Sequence, residues 1–408
     1  MTPTRKSRVI AVISVLFAAL ALLVTAGCAV GPNYKRPATP NVPGYTPSLP
    51  WTTSSSPDVS GGEAQTFAQG RDIPGDWWTL FHSKPLNDLI ERSLKSNPDP
   101  KSAQAALLVA RENTLAQRGA YYPSVSGGFS ATRAKTSDEL SPVPSFTSFQ
   151  YSLFTPEVSV SYTPDVFGLN RRTVESLKAQ QEQARYVVAA TNITLSSNVA
   201  AAAIQEASLR AQIDATNQLI EINTKQLDIL RKQFEKGYVG RLDVAAQEAQ
   251  LAQVAATLPP LLKQLAQQRD LLAVLSGVFP NEDLIEKFEL SSLQLPQELP
   301  LTLPSQLVEQ RPDVLQAEEN LHSASALIGV ARANRLPSFN LSGGIGSMAL
   351  AFGNIFSAGN GFRDVTGGVT QPIFEGGTLM HKERAARAAY VQADEQYRST
   401  VLRYCWSA

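Results

Sequence analysis

The feature that most constrains this chain is a stretch of 66 residues, 171–236, that contains neither glycine nor proline. Apolar and small residues recur along it at alternating spacings of three and four, which predicts one long helix with a coiled-coil-like seam. At 1.5 Å per residue, such a helix would be roughly 100 Å long. A rod of this length indicates an extended assembly rather than a compact globule.

The rod ends in the sequence KGYVGRLDV, residues 236–244, where glycines favour a tight turn. A second helix is predicted to return from this turn, with leucines at helical spacing up to Leu275. Pro259 and Pro260 lie inside it and are predicted to break or kink it, because proline removes a backbone donor. Gly277 is predicted to end it. Together the two helices form a long hairpin.

An internal repeat organises the rest of the chain. Residues 97–124 align without gaps with residues 311–338, and the same residues coincide at a constant offset in both copies. The coincident pairs are Pro98 and Pro312, Asp99 and Asp313, Leu107 and Leu321, Ala110 and Ala324, Arg118 and Arg332, and Pro123 and Pro337. Each copy therefore predicts a helix that starts at Pro-Asp and leads into a strand.

Alternating segments follow each copy of the repeat and predict two strands per copy. They are residues 124–132 and 149–162 in the first copy, and 338–346 and 364–372 in the second. The alternation shifts phase near Pro156. Small polar residues alternate with apolar ones, and aromatic residues gather at one end, as is typical of transmembrane β-barrels. A soluble hairpin fits this pattern equally well.

Geometry decides how many chains a barrel would need. Four strands cannot close a barrel, and an open sheet edge in lipid leaves backbone groups without hydrogen bonds. Three chains would supply twelve strands, which lies within the range of known barrels. The sequence thus predicts a trimer in which a membrane barrel continues into a tube of long helices.

The N-terminus reads as an export signal, residues 1–27, with basic residues before an apolar core at residues 9–24. The core is short for a membrane helix. Cys28 follows two small residues, as in a bacterial lipobox, although Thr25 stands where leucine is usual. Cys28 is therefore the candidate lipid anchor, and an ordinary cleavage site with an incidental cysteine is the alternative.

Composition excludes several classes of function. The 36 basic and 36 acidic residues balance, which argues against a nucleic-acid partner. Two cysteines support neither a disulfide framework nor a metal site. The histidines are scattered and no catalytic motif is present, so we expect no enzyme, no cofactor and no metal. They are His82, His322 and His381, expected at the surface or in helix packing. No apolar run near 20 residues follows the signal, so any membrane span is expected to be β.

Several stretches carry a family resemblance: GCAVGPNYKRP, WWTLFHSKPLNDLI, SNPD, QRPDVLQAEENLHSASALIGVARANRLPS and QPIFEGG. From about Gly27 to Leu402 the chain resembles the NodT-type outer-membrane efflux lipoproteins, the TolC-like outer-membrane factors. The resemblance implies a mainly α fold with membrane β, built from two repeats of helix, β-hairpin and long helices. It implies a homotrimer with a 12-stranded barrel and an α-helical tunnel across the periplasm.

The resemblance also implies a function and partners. The chain would be the outer-membrane channel of a tripartite efflux system in a Gram-negative cell, passing small solutes from an inner-membrane pump through a periplasmic adaptor. It would be lipid-anchored in the outer membrane, since Ala29 is not the aspartate that retains lipoproteins in the inner membrane. A periplasmic coiled-coil adaptor lipoprotein, or a truncated member that neither gates nor functions, remains an alternative.

In this family the turn between the long helices is the periplasmic tip, where the adaptor docks and the channel closes. The resemblance assigns that role to Gly237, Tyr238, Val239, Gly240, Arg241, Asp243 and Val244. Lys236 and Tyr238 stand where the family has valine and leucine. Asp243 aligns with an aspartate that joins closing interactions between helices. The plainer interpretations are a hairpin glycine at Gly237 and a helix N-cap at Asp243.

These patterns divide the chain into five expected parts. They are a lipoprotein signal (1–27), a Pro/Ser-rich extended leader (28–75), a first efflux repeat (76–277), a connector (278–305) and a second repeat (306–408). The second repeat stops inside the helix that corresponds to the rod, and its last residues, CWSA, do not resemble the family. We therefore expect a truncated second repeat without its own tip, arising from a frameshift or as a naturally short variant.

Overall fold

The structure is a computed structural model that describes residues 29–38, 51–56, 62–71, 73–135, 150–282, 286–301 and 310–407. The predicted signal and Cys28 lie outside the described residues. In chain order the elements are β1 (Thr66–Gln69), α1 (Lys84–Ser96), α2 (Pro98–Arg118), β2 (Ser124–Lys135), β3 (Gln150–Tyr162), α3 (Leu169–Glu235), α4 (Arg241–Leu275), β4 (Glu298–Leu301), α5 (Pro312–Ala333), β5 (Ser338–Ser347), β6 (Gly361–Thr370) and α6 (Thr378–Ser407).

Contacts divide the chain into two units. One comprises residues 1–37, 108–183 and 316–400, and the other comprises residues 38–107, 184–315 and 401–408. The first unit contains an antiparallel sheet in the order β2-β3-β5-β6. The two strands predicted for each copy of the repeat are therefore present, and the two hairpins join through β3 and β5. The strands have 10 to 13 residues, close to the length that crosses a bilayer.

The sheet register is continuous where the sequence alternation of β3 changes phase. Pro156 stands opposite Phe129, and pairing with β2 continues on both sides of it, from Gln150 to Ser161. Since successive side chains in a strand point to opposite faces, Leu153 and Val158 project from different faces of the sheet. The phase shift therefore marks a change of apolar face along one strand and leaves the pairing intact.

In the first unit, helices α5 and α6 pack through small side chains. Leu321 and Ala324 of α5 are buried against Ala393 of α6. The Ser176 and Ser323 hydroxyls, on α3 and α5, lie 2.8 Å apart in a buried hydrogen bond. Small residues at these positions let the helix backbones approach closely.

In the second unit, α1 closes one compact core. Leu86, Leu89 and Ile90 are fully buried. They belong to one cluster with Leu195, Val199, Leu272 and Phe288, which come from α3, α4 and the connector. These three residues lie at helical spacing and form the buried face of an amphipathic helix.

Helix α3 has 67 residues, which confirms the predicted rod. One 18-residue window of α3 has a mean hydropathy of 1.5, enough by composition to cross a membrane. Judged by length and composition, the expectation that no apolar run near 20 residues follows the signal is therefore wrong. Leu195 and Val199 on this helix pack in the core around α1, which accounts for part of its apolar character.

Helix α4 runs unbroken through Pro259 and Pro260. The predicted break is therefore wrong, and the alternative of a kink stays a prediction. Both prolines are exposed, so water can satisfy the carbonyls of Ala255 and Ala256 that lose their helical partners. The leader, which is expected to be extended, contains β1, and β1 pairs in parallel with β4 of the connector.

Candidate functional site

The turn between α3 and α4 is built on Gly237, which has a φ of +77°. The Gly237 N–H donates to the Phe234 carbonyl and the Tyr238 N–H donates to the Gln233 carbonyl, both at 2.9 Å. This pair of bonds is the Schellman ending of a helix, and a left-handed residue at this point favours glycine. The glycine thus fixes where the rod ends.

Asp243 organises the start of the returning helix. Gly240 occupies the N-cap position, and its backbone N–H donates to Asp243 Oδ2 at 2.9 Å. The interpretation of Asp243 as the N-cap is therefore wrong. Asp243 is the third helical residue, whose carboxylate reaches back to the cap as in a capping box. Its negative charge also lies at the favourable end of the helix dipole.

The turn presents large side chains to solvent. Tyr238 is 77% exposed and Leu242 is 82% exposed, while Arg241 adds an exposed positive charge. The residues predicted for the tip therefore lie together on one short turn, with Val239 and Val244 partly covered. An exposed aromatic and an exposed leucine at the end of a hairpin provide a surface suited to contact another protein.

Two polar links hold the hairpin behind the turn. Arg231 Nη2 lies 2.7 Å from Glu248 Oε1, and Gln247 Nε2 donates to Asn223 Oδ1 at 3.0 Å. These links join α3 to α4 close to the turn.

We expect Asp243→Ala to destabilise the turn by about 1 kcal/mol, since the Gly240 N–H loses its acceptor. Hydrogen exchange at residues 236–244 should become faster. Asp228→Ala removes an exposed carboxylate from the body of α3 and serves as the control. Equal changes in exchange for the two variants would show that the capping contact contributes nothing.

A second set of contacts docks residues 29–37, which directly follow Cys28. The Val30 N–H donates to the Phe167 carbonyl at 3.1 Å. Arg172, buried on α3, donates through Nε to the Val30 carbonyl at 3.1 Å and through Nη2 to Asn33 Oδ1 at 2.7 Å. The segment after the predicted anchor is thus tied to the first turn of the rod.

Two glycines make this docking possible. Gly31 has a φ of +99°, and a Cβ on it would lie 2.5 Å from Gly329 Cα. A Cβ on Gly329 would lie 2.7 Å from Arg172 Cγ and 2.8 Å from the Val30 carbonyl oxygen. The docked segment therefore needs glycine on both sides of the contact.

His322 packs against the docked segment. The rings of Tyr34 and His322 stack with centroids 4.3 Å apart. The two ring nitrogens of His322 lie 3.3 Å from carboxylate oxygens of Glu175 and Glu319. Burial raises the pKa of Tyr34, and the nearby negative charge of Glu318 raises it further. The Tyr34 hydroxyl therefore stays neutral. The expected helix-packing role of His322 fits this geometry, although two of its partners, Tyr34 and Glu175, lie far away in sequence.

Glu383 on α6 is held by three arginines. Arg332 Nε and Arg387 Nη2 contact its Oε1 at 3.0 and 2.7 Å, and Arg335 Nη1 contacts its Oε2 at 2.5 Å. Hydrogen bonds from Arg387, Arg335 and Arg332 lower the pKa of Glu383 to about 2. No single stretch of the sequence marks this cluster, whose members come from two helices and the turn after α5.

We expect Glu383→Gln to destabilise the protein by roughly 2 kcal/mol, since the four hydrogen bonds that the three arginines donate to Glu383 lose their negatively charged acceptor. Because the folded pKa lies below the usual value of 4.5, this stabilisation is complete above about pH 4.5 and is lost as pH falls toward 2. Thermal unfolding at pH 7 and pH 3 measures it. Glu395→Gln removes an exposed carboxylate of the same helix. Similar losses for both variants at pH 7 would contradict the assigned role of Glu383.

Within the described ranges, no three His, Cys, Asp or Glu side chains form a group that could hold a metal ion. Cys28 lies outside these ranges, so its role as an anchor remains a prediction.

Comparison with known proteins places this architecture. The model of the family described as outer membrane efflux protein matches residues 89–278 and 303–405. The probable efflux pump outer membrane protein TtgC of Pseudomonas putida is 29% identical over 367 residues, which cover 90% of this chain and 73% of the relative. Nodulation protein T of Rhizobium leguminosarum bv. trifolii is 25% identical over 393 residues, covering 93% and 77% of the two chains.

A solved structure gives the same result in three dimensions. The outer-membrane channel OprN superposes with a TM-score of 0.79 at 25% sequence identity, covering 93% of this chain and 81% of that one. A likeness of this extent confirms the predicted TolC-like fold, mainly helical with a membrane β-sheet.

Proposed function

The chain belongs to the outer membrane efflux protein family, whose members are outer-membrane efflux channels, and from that premise we propose that three copies assemble into the working channel. The sheet order supports this proposal, since β2 and β6 form its two edges. Pairing β2 of one copy with β6 of the next would repeat around a threefold axis until twelve strands close. Closure would satisfy every sheet edge in the bilayer.

The side chains exposed at the predicted tip support a proposal for the partners of this trimer. We propose that a periplasmic adaptor docks on residues 237–244 and connects the tube to an inner-membrane pump. The exposed Tyr238 and Leu242 support this assignment, because exposed apolar side chains on a rigid turn favour protein contact. The transported molecules would be small solutes delivered by the pump, and the chain itself would carry out no catalysis.

We further propose that Cys28 is acylated and inserts its lipid into the outer membrane. The docking of residues 29–37 on α3 and α5 supports this, because it holds the residue after Cys28 beside Gly168, close to where β3 ends. We also propose that the chain is divided as its sequence predicts, into a removed signal (1–27), a leader (28–75), a first repeat (76–277), a connector (278–305) and a second repeat (306–408).

Conductance across a planar lipid bilayer tests the proposed channel. Purified protein added to one side should give discrete current steps of uniform size, which follow from a closed pore of fixed stoichiometry. Leu242→Glu at the tip should leave these steps in place while weakening efflux in cells, because the pore and the docking surface are separate parts. If protein that circular dichroism shows to be folded gave no current steps, the proposal would be contradicted.

A further inference from the structure

A cavity of about 490 Å³ lies between the docked leader and helices α5 and α6. Its cationic lining residues are Lys35, Arg332 and Arg387. Its remaining wall includes the apolar or aromatic side chains of Tyr34, Ile328, Tyr390 and Val391. The cavity is thus basic on one part of its wall and apolar on another. We call it the basic cavity.

The positive charge of the basic cavity exceeds what its neighbours neutralise. Arg332 and Arg387 both contact Glu383, but Arg335 shares the same carboxylate. Three guanidinium groups therefore compensate one negative charge and leave an excess of positive charge. Glu318, the carboxylate near Tyr34, is already paired with Arg36 at 3.0 Å. The side chains of Arg332 and Arg387 remain 39% and 55% exposed, which leaves donors available to a ligand.

The position of the cavity relates it to the strands. Arg332 lies at the end of α5, and a short turn leads from there to β5. Gln371 Nε2, just after β6, donates to the Arg335 carbonyl at 3.1 Å and ties the two strand ends to this turn. The basic cavity therefore lies next to the ends of strands that would cross the bilayer.

The leader orients the cavity toward the same bilayer. Lys35 follows Cys28 by only seven positions, a span of at most about 25 Å for an extended chain. A lipid on Cys28 would hold this part of the leader close to the membrane surface. Basic side chains at that level attract anionic lipid headgroups.

The first repeat lacks the equivalent chemistry. Counted from Phe374 and from the equivalent Phe167 of the first repeat, Glu383 and Arg387 of α6 correspond to Ser176 and Gln180 of α3. These two residues form a neutral hydrogen-bonded network with Ser323. The cluster of three arginines around Glu383 thus belongs to the second repeat, while the corresponding positions of the first repeat pack through neutral side chains.

We propose that the basic cavity binds the phosphate headgroup of an anionic glycerophospholipid from the leaflet next to the strand ends. Lys35, Arg332 and Arg387 contact the phosphate, and the apolar wall accommodates the glycerol and the first part of the acyl chains. This inference rests on the proposed function, in which the strands cross the membrane. The bound lipid would join the docked leader to the two helices of the second repeat.

Native mass spectrometry of the full chain in detergent tests the proposal. The complex is mixed with phosphatidylglycerol or with zwitterionic phosphatidylcholine, and retained lipid is counted. We expect phosphatidylglycerol to be retained preferentially. Its retention should weaken about fivefold in Lys35→Gln, since one basic residue near an anionic membrane surface strengthens binding by about that factor. Lys35 does not contact Glu383 in the described hydrogen bonds, so this variant leaves the arginine cluster intact. Arg118→Gln, at the residue that aligns with Arg332, is the matched control and should retain lipid normally.

Equal retention of the two lipids, or unchanged retention in Lys35→Gln, would overturn the proposal. A third arm adds inorganic phosphate as a competitor. Displacement of the lipid only by a large excess of phosphate supports a headgroup site, whereas displacement at equal concentration would overturn the assignment to a lipid. The mass of the protein complex and its conductance report the proposed channel separately. A normal channel without lipid preference would therefore defeat this inference alone.

Discussion

Replacing Leu89 with aspartate is expected to destabilise the second unit by more than about 5 kcal/mol, because a charge would enter a fully buried apolar site. Leu89 has no exposed surface and belongs to the cluster that joins α1 to α3, α4 and Phe288. Thermal unfolding followed by circular dichroism should lose its main transition or shift it strongly downward. The protein should also be degraded in cells.

The matched control is Leu242→Asp, which introduces the same charge at a leucine that is 82% exposed. Its unfolding should stay close to that of the unaltered protein. If Leu89→Asp unfolds at the same temperature as Leu242→Asp, the core around α1 does not stabilise the long helices. The assigned packing of the second unit would then be wrong.

Replacing Gly329 with valine is expected to release the leader from the first unit. Its Cβ would meet Arg172 Cγ at 2.7 Å and the Val30 carbonyl oxygen at 2.8 Å, and the backbone oxygen cannot rotate away as a side chain can. An overpacked contact of this kind costs roughly 2 kcal/mol, which corresponds to about thirtyfold more of the undocked leader. Trypsin should then cut faster after Lys35, which lies in the docked segment.

Gly353→Val provides the control, because nothing lies within 4 Å of a Cβ at that position. Its cleavage after Lys35 should match that of the unaltered protein. Slow cleavage in Gly329→Val would mean that the leader tolerates the valine. The close approach of Gly31 and Gly329 would then not be what holds it in place.

Local patterns predicted the parts of the fold that rest on local physics. The absence of glycine and proline over residues 171–236 predicted α3, and the glycine of the 236–244 turn predicted its end. The repeat predicted both hairpins, because strand alternation is visible within a few residues. The break predicted at the two prolines of α4 is wrong, because the effect of a proline depends on whether water reaches the carbonyls that lose their helical partners.

The docked leader and the arginine cluster could not be predicted in the same way. Arg172 meets Asn33 across 139 positions, and Tyr34 meets Glu318 across 284. Glu383 receives arginines from α5, from the turn after it and from its own helix, and no periodicity in one segment encodes that meeting. The stretch GPNYKRP carried a signal for the leader through its family resemblance, but its partners became visible only in the fold.

The number of chains in the membrane-extracted complex tests the central claim most directly. Native mass spectrometry or light scattering should give a complex of three chains that dissociates to single chains on heating, because twelve strands are needed to close the barrel. A folded complex of one or two chains would contradict the proposed channel. Such a complex would hold only four or eight strands of this sheet, so β2 and β6 could not pair around a threefold axis.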